Sequence, residues 1–412
     1  MKLSVGTLLT GIVGCLIHGG CGKGSASELP VPFWVESEPS VLASRMDTTN
    51  VAIDLVNPPE AVLTGLIPGV ESFTAVQVAE LTPPTVNGLR LQANEVINDG
   101  NSTYVSYNVA GEAYAGGIDI LDISNILSLK ILSSFQSSTS EFNALTRSGN
   151  YLYAAGAGSS GRTSGAFLTR IALNGSLMTS DTSQYLLPSY SGTSLIVNTN
   201  QILALSGDAG GLSLFDKATM NLITTVPIDD ARAVKTAADG SVVVLSGQPG
   251  TVRVLSASGS VQKTVILGGA ATPQSKSTLQ IGSKWSIASL GEGGAVIYCN
   301  LNGTIIERIP ATIVAGIPAS LTVTNAASSV GGLVFTANGE AGVYVYSLKD
   351  VTTLDSCGDA TLTLLGKLNL GANFSANSVY YQNGLLFIVT GLGGLKILSP
   401  TYVSTTPLSS NL

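Results

Sequence analysis

Seven times between residues 94 and 400 the chain repeats one short pattern: a turn glycine, a run of β-forming residues, a second glycine-marked turn and another apolar run. The first turn carries Gly100, Gly149, Asn200, Gly240, Gly282, Gly332 and Gly384; the second ends at Gly117, Gly165, Gly211, Gly250, Gly294, Gly342 and Gly394. Members of the second series recur every 39 to 52 residues, the period of a four-stranded propeller blade. The pattern predicts an all-β fold, a seven-bladed β-propeller over 51–400. Strands A to D of the first blade are expected at 95–97, 102–107, 118–123 and 129–135.

Turn chemistry supports the period. Asp99-Gly100, Asp239-Gly240 and Asn383-Gly384 are pairs that adopt positive φ at little cost, as tight hairpins require. Several B strands, such as Val242-Val243-Val244-Leu245 and Leu385-Leu386-Phe387-Ile388-Val389, are apolar on both faces. Such runs suit a sheet covered on both sides by neighbouring blades. The last repeat supplies only three strands, so a fourth must come from elsewhere. Ala75 to Leu81 has the right alternation and position, and is expected to close the ring by joining the C-terminal blade. Val51 to Pro58 resembles a worn strand C, either adding to that blade or packing as an N-terminal extension.

The ends read differently. Met1-Lys2 followed by Leu3 to Leu16 is a short basic region and an apolar run of signal-peptide length. Ile12-Val13-Gly14-Cys15 resembles a bacterial lipobox, with His18-Gly19-Gly20-Cys21 as an alternative, so 1–21 is expected to be a signal peptide lipidated at Cys15 or Cys21. Two or three acyl chains anchor a protein stably. No Asp follows either cysteine, which by resemblance to Gram-negative lipoproteins implies the outer membrane. Residues 22–50, rich in Ser, Pro and Glu, read as a flexible tether. Phe33-Trp34 interrupts it, as a partner anchor or as a pair resting on the protein's own surface. Residues 401–412 read as a tail.

Gly116-Gly117-Ile118-Asp119-Ile120-Leu121-Asp122-Ile123-Ser124-Asn125, followed by Leu129 to Phe135, resembles the repeat of LVIVD-type bacterial β-propellers. Gly393-Gly394-Leu395-Lys396-Ile397-Leu398 is a shorter echo, and the Asp of strand C is lost in the other repeats. The resemblance implies a propeller exported to the bacterial envelope, and little about activity.

Composition excludes several functions. A formal charge of −7, with 19 Lys+Arg scattered singly, offers no stripe to neutralise phosphates, so no nucleic-acid partner is expected. No internal stretch is long and apolar enough to span a bilayer; membrane contact is expected through the lipid anchor alone. The one histidine is His18, which leaves the repeats without imidazole for a catalytic triad or for histidine-ligated metals. Cys299 and Cys357 are the only thiols there, either bridged or free.

Carboxylates are the remaining chemistry. Glu112, Asp208, Glu292 and Glu340 all fall in B–C turns, where a partial ring of oxygens would suit Ca²⁺ at a channel mouth; Asp208, Glu292 and Glu340 are the metal candidates. From A–B turn to B–C glycine the chain runs 10 to 12 residues in the last five blades, but 17 in the first and 16 in the second. The extra residues, 108–115 and 156–164, lie side by side and make Glu112, Tyr114 and Arg162 the partner-binding candidates. The sequence thus points to a lipid-anchored, non-enzymatic scaffold for a protein or glycan partner. The alternative is a lactonase-like hydrolase using carboxylates and a divalent cation. Export from a eukaryote is a third reading, with Asn101, Asn174, Asn302 and Asn373 as glycosylation acceptors.

Overall fold

Alternation along each strand decides which neighbour receives its side chains. Val242 and Val244 pack with Leu203, Leu205, Leu212 and Leu214 of the preceding blade, whereas Val243 and Leu245 pack with Ala288, Leu290, Val296 and Tyr298 of the following one. Leu386 and Ile388 likewise face blade 6, and Leu385, Phe387 and Val389 face blade 1. The fully apolar B strands are therefore covered on both sides. Among the described residues seven such hydrophobic clusters form, one at each interface between consecutive blades. A fully buried Val, Leu or Phe contributes roughly 1.5–3 kcal/mol, and a single blade has no second face to bury it against.

The computed structural model describes residues 33–57, 71–111, 113–159, 165–269, 271, 273, 275–349, 357, 360–371 and 374–404. Blade 1 comprises Gln92–Asp99, Ser102–Asn108, Gly116–Asp122 and Lys130–Ser137. Six further antiparallel sheets follow, and the inner strands touch in a closed cycle that returns from blade 7 to blade 1. In blade 7, Leu395–Ser404 pairs on one side with Leu385–Val389 and on the other with Glu71–Leu81, in a register running from Leu395 opposite Leu81 to Ser404 opposite Glu71. The fourth strand of the last blade is thus N-terminal, as expected from the missing repeat. The pairing continues through Ser404, so part of the stretch read as a tail belongs to the blade.

Gly394 shows why the second glycine series exists. Its φ is 81°, and a Cβ there would collide with the carbonyl oxygen of Leu81 on the closing strand. Gly294 stands in the same relation to the Ile309 carbonyl in blade 5. The B–C turn folds against the end of the outer strand, and only hydrogen fits.

The N-terminal segment corrects the tether boundary of 22–50. Phe33–Glu36 pairs antiparallel with the outer strand of blade 1, and Phe33 stacks on Phe135 with ring centroids 4.9 Å apart. A short helix, Pro39–Ala43, sends Leu42 into the cluster between blades 7 and 1. Met46–Asp47 and Val51–Ile53 pair with the closing strand Glu71–Leu81, and Leu55–Val56 adds to the outer edge of blade 6. The segment therefore straps three blades together, covering edges that would otherwise expose unpaired backbone. Its Ser, Pro and Glu content concealed the short β-forming run FWVE, whereas the stretch from Val51, read as a worn strand C, does add a strand to the last blade through Val51–Ile53.

Candidate functional site

In a meander the B–C turns and D–A loops share one face of the propeller, and this face is stitched around the channel mouth. Near the start of six of the seven inner strands a polar side chain donates to a backbone carbonyl of the next blade. Asn377 Nδ2 donates to Ala93 O at 3.1 Å, Asn94 to Asn143 O at 3.3 Å, and Asn143 to Gly192 O at 3.2 Å. The series continues with Thr193 Oγ1 to Ala231 O at 2.9 Å, Arg232 Nη1 to Ser275 O at 2.5 Å, and Asn325 Nδ2 to Ala376 O at 3.2 Å. Between blades 5 and 6 backbone bonds serve instead, exchanged by Gly291 and Thr324 at 3.1 and 3.0 Å. Buried carbonyls that face the axis are thereby satisfied. Sequence reading centred on glycines passed over this ring, although Asn94, Asn143, Asn325 and Asn377 recur with the same period.

The B–C turns of blades 5, 6 and 7 are copies of one structure. Leu290 N donates to Gly294 O, Asn338 N to Gly342 O and Thr390 N to Gly394 O, at 2.7 to 2.9 Å. The second residue of each, Gly291, Gly339 or Gly391, has φ of 54–59° and bonds to the next blade. Glu292 and Glu340 follow that residue and are exposed. Asp208 is one place out of step with them: it occupies the positive-φ position itself (55°), and its carbonyl accepts from Asp230 N at 2.7 Å. Among the described residues no three His, Cys, Asp or Glu side chains come together to hold a metal ion. Asp208, Glu292 and Glu340 are therefore set apart, one to a blade, rather than gathered.

The described ends of the two long turns meet. Glu112 and Arg162 lie outside the described residues, as do Cys15 and Cys21. Tyr114 is half-buried, and its hydroxyl lies 3.5 Å from the point where a Cβ would stand on Gly165, at the end of the blade 2 turn. The carbonyl of Tyr190, from the loop between blades 2 and 3, is 3.0 Å from the same point, and the Tyr190 residue is 47% exposed. Between the stems sits Glu141. Its Cα would be 2.7 Å from a Cβ on Gly116, and its carbonyl blocks one on Gly156. Burial pushes the Glu141 carboxyl up to about 7, against the opposing effect of a hydrogen bond from Asn143.

The amides around Glu141 form one network. Asn143 donates to Ser191 Oγ at 3.1 Å and accepts from Asn94 at 3.3 Å and Asn108 at 3.4 Å. Lys276, from the loop entering blade 5, donates to Asn94 O at 2.9 Å and lies 3.8 Å from Glu95 Oε1. Blades 5 and 1 are not neighbours, so this contact crosses the channel. Burial lowers the Lys276 pKa, Glu95 opposes that, and Lys235 adds to it. The mouth beside the long turns is thus a floor of amides, one carboxyl that titrates near neutrality and a bridging ammonium, rimmed by two tyrosines.

Sulfur chemistry here is structural. Cys299, in the third strand of blade 5, is bonded to Cys357, with Cα atoms 5.6 Å apart. Of the two alternatives open in the sequence, the bridge is the one formed.

No family model matches the chain, and no curated protein matches its sequence. Solved structures do. "Structure of U3-55K" aligns at 13% identity over 77% of this chain and 98% of that one, with a TM-score of 0.55. The WD40 β-propeller domain of Doa1 aligns at 12% identity over 77% and 96%, with a TM-score of 0.51. At these identities the likeness establishes the propeller fold.

Proposed function

We propose that this protein is an exported, lipid-anchored propeller of the LVIVD-repeat kind, whose two long B–C turns bind a protein or glycan partner in the bacterial envelope. The observation that carries the reading is the contact between the described ends of those turns, with the Tyr114 hydroxyl against Gly165 and Glu141 wedged between their stems. Inserted turns on a rigid repeat scaffold are where recognition resides, and the ring of side-chain bonds beneath them holds their stems in place. Glu112, Tyr114 and Arg162 supply the contacts, without catalysis. Cys15, or alternatively Cys21, carries the acyl chains, and the absence of Asp after either cysteine favours an outer-membrane location.

The test has two parts. Full-length protein is offered to a glycan array and to envelope extract, and any ligand found is measured again with Tyr114→Ala and Arg162→Ala. Loss of binding in both variants, with unchanged thermal unfolding, is the expected result; unchanged affinity refutes the site. Metabolic labelling with a fatty-acid analogue should mark the wild type and fail with Cys15→Ser and Cys21→Ser combined. Label retained in that double variant refutes the anchor.

A further inference from the structure

On the opposite face, between blades 4 and 5, a cleft of about 570 Å³ opens between the A–B turns of the two blades. Its cause is local. The inner strand of blade 5, Leu279–Ile281, has three residues, whereas that of blade 4, Ala231–Thr236, has six, and the blade 4 turn places the small side chains of Ala237 and Ala238 at the lip beside Asp239 and Ser241. The floor is the apolar interface itself, with Val243, Val252, Val265 and Tyr298 buried beneath it, and Trp285 forms a wall. The volume lies in the range of small-molecule sites, which are apolar with a few placed polar groups.

Charge at the rim is one-sided. Asp239 is the sole acid among the described lining residues, and its carboxylate is engaged by Ser241 through N at 2.9 Å and Oγ at 2.6 Å. Lys263 Nζ donates to the Asn300 and Leu301 carbonyls at 3.0 and 2.8 Å, so its charge is held in place by neutral acceptors. Lys284, adjoining Trp285, has no carboxylate partner among the described residues. We propose that this cleft binds a small amphipathic anion, whose apolar ring system lies against Trp285 and the valine floor while its carboxylate, sulfonate or phosphate faces Lys284 and Lys263. An apolar ligand without charge would leave both ammoniums unmatched; a polar anion without an apolar body would leave the floor wet. The site is separate from the long turns and does not depend on the reading given them.

Two dyes with one skeleton test it on the full chain. Anilinonaphthalenesulfonate carries the sulfonate and phenylnaphthylamine lacks it. In a Trp34→Phe background Trp285 is the only tryptophan, and energy transfer from it reports occupancy of this cleft. The sulfonate dye should saturate a single site by transfer from Trp285, and bind more tightly than the neutral dye. Lys284→Met should weaken the sulfonate dye by about threefold, the weight of one partly solvated charge contact, with the neutral dye unchanged and Lys284→Arg retaining affinity. Ala238→Phe, which fills the lip, should reduce both. Equal affinity for the two dyes, absence of saturable transfer, or indifference to Lys284→Met overturns the proposal.

Discussion

Arg45 lies in the strap and reaches into the seam where blade 7 meets blade 1. Its Nη1 donates to Asp119 Oδ1 at 3.1 Å and Ser134 Oγ at 3.3 Å, Nη2 to Asp119 Oδ2, and Nε to Thr82 O at 3.0 Å. Asp119 is wholly buried, and its Oδ2 also accepts from the Tyr107 hydroxyl at 2.7 Å. Burial is the largest single influence and works against the guanidinium charge, but Asp119 and Tyr107 together outweigh it and the Arg45 pKa is raised. Burial, reinforced by Asp119, keeps Tyr107 protonated well above its ordinary range. Arg45→Met leaves that carboxylate buried with Tyr107 as its remaining side-chain donor. Removing one partner of a buried pair costs about 3–5 kcal/mol, whereas replacing both by apolar groups is close to neutral. Urea unfolding of the full chain should therefore place Arg45→Met about 3–5 kcal/mol below wild type, and Arg45→Met/Asp119→Leu well above the single variant. A single variant within about 0.5 kcal/mol of wild type, as for a surface change, or a double variant below the single one, would refute the reasoning.

Two further outcomes follow from the same chemistry. The Glu141 carboxyl titrates near 7 in the folded protein and at its ordinary 4.5 when unfolded, so the unfolded chain loses its proton first. The folded state then loses ground as pH rises from about 4.5 to 7, with the penalty complete above that. Glu141→Gln should flatten this part of the stability profile between about pH 4.5 and 7, and an unaltered profile would contradict the assignment. The bridge from Cys299 to Cys357 spans a sequence separation of 58, for which loop-closure entropy gives up to about 4 kcal/mol. Cys357→Ser should lower the denaturation midpoint, and a reductant should lower the wild type alone; equal midpoints throughout would deny the bridge a role.

The blades were legible because turn chemistry and apolar period agree. The first blade, expected from 95 to 135, spans 92 to 137, and the residues from 75 to 81 lie where the missing fourth strand required them. The strap was legible only where Val51 to Ile53 adds a strand to the last blade; FWVE is too short to show a period, and Arg45 is a single charge whose partner lies 74 residues on. Asp208 was grouped with Glu292 and Glu340 on local composition, but a one-residue offset gives it the backbone role of Gly291. Glu141 and Lys276 carried no motif. Their perturbed environment comes from burial and from a contact across the channel, which only closure of the ring creates.

Closure itself can be measured by cross-linking. Thr74 and Thr401 are exposed and face each other on the closing strand and the last strand. Directly opposed residues of an antiparallel pair have Cα atoms about 4.5–5.5 Å apart, within reach of a disulfide. Mild oxidation of the Thr74→Cys/Thr401→Cys variant should yield a monomer with a new intramolecular bridge, and the off-register pair Thr74→Cys/Val403→Cys should cross-link far less. Failure of the first pair, or equal cross-linking of both, would contradict a ring closed in this register.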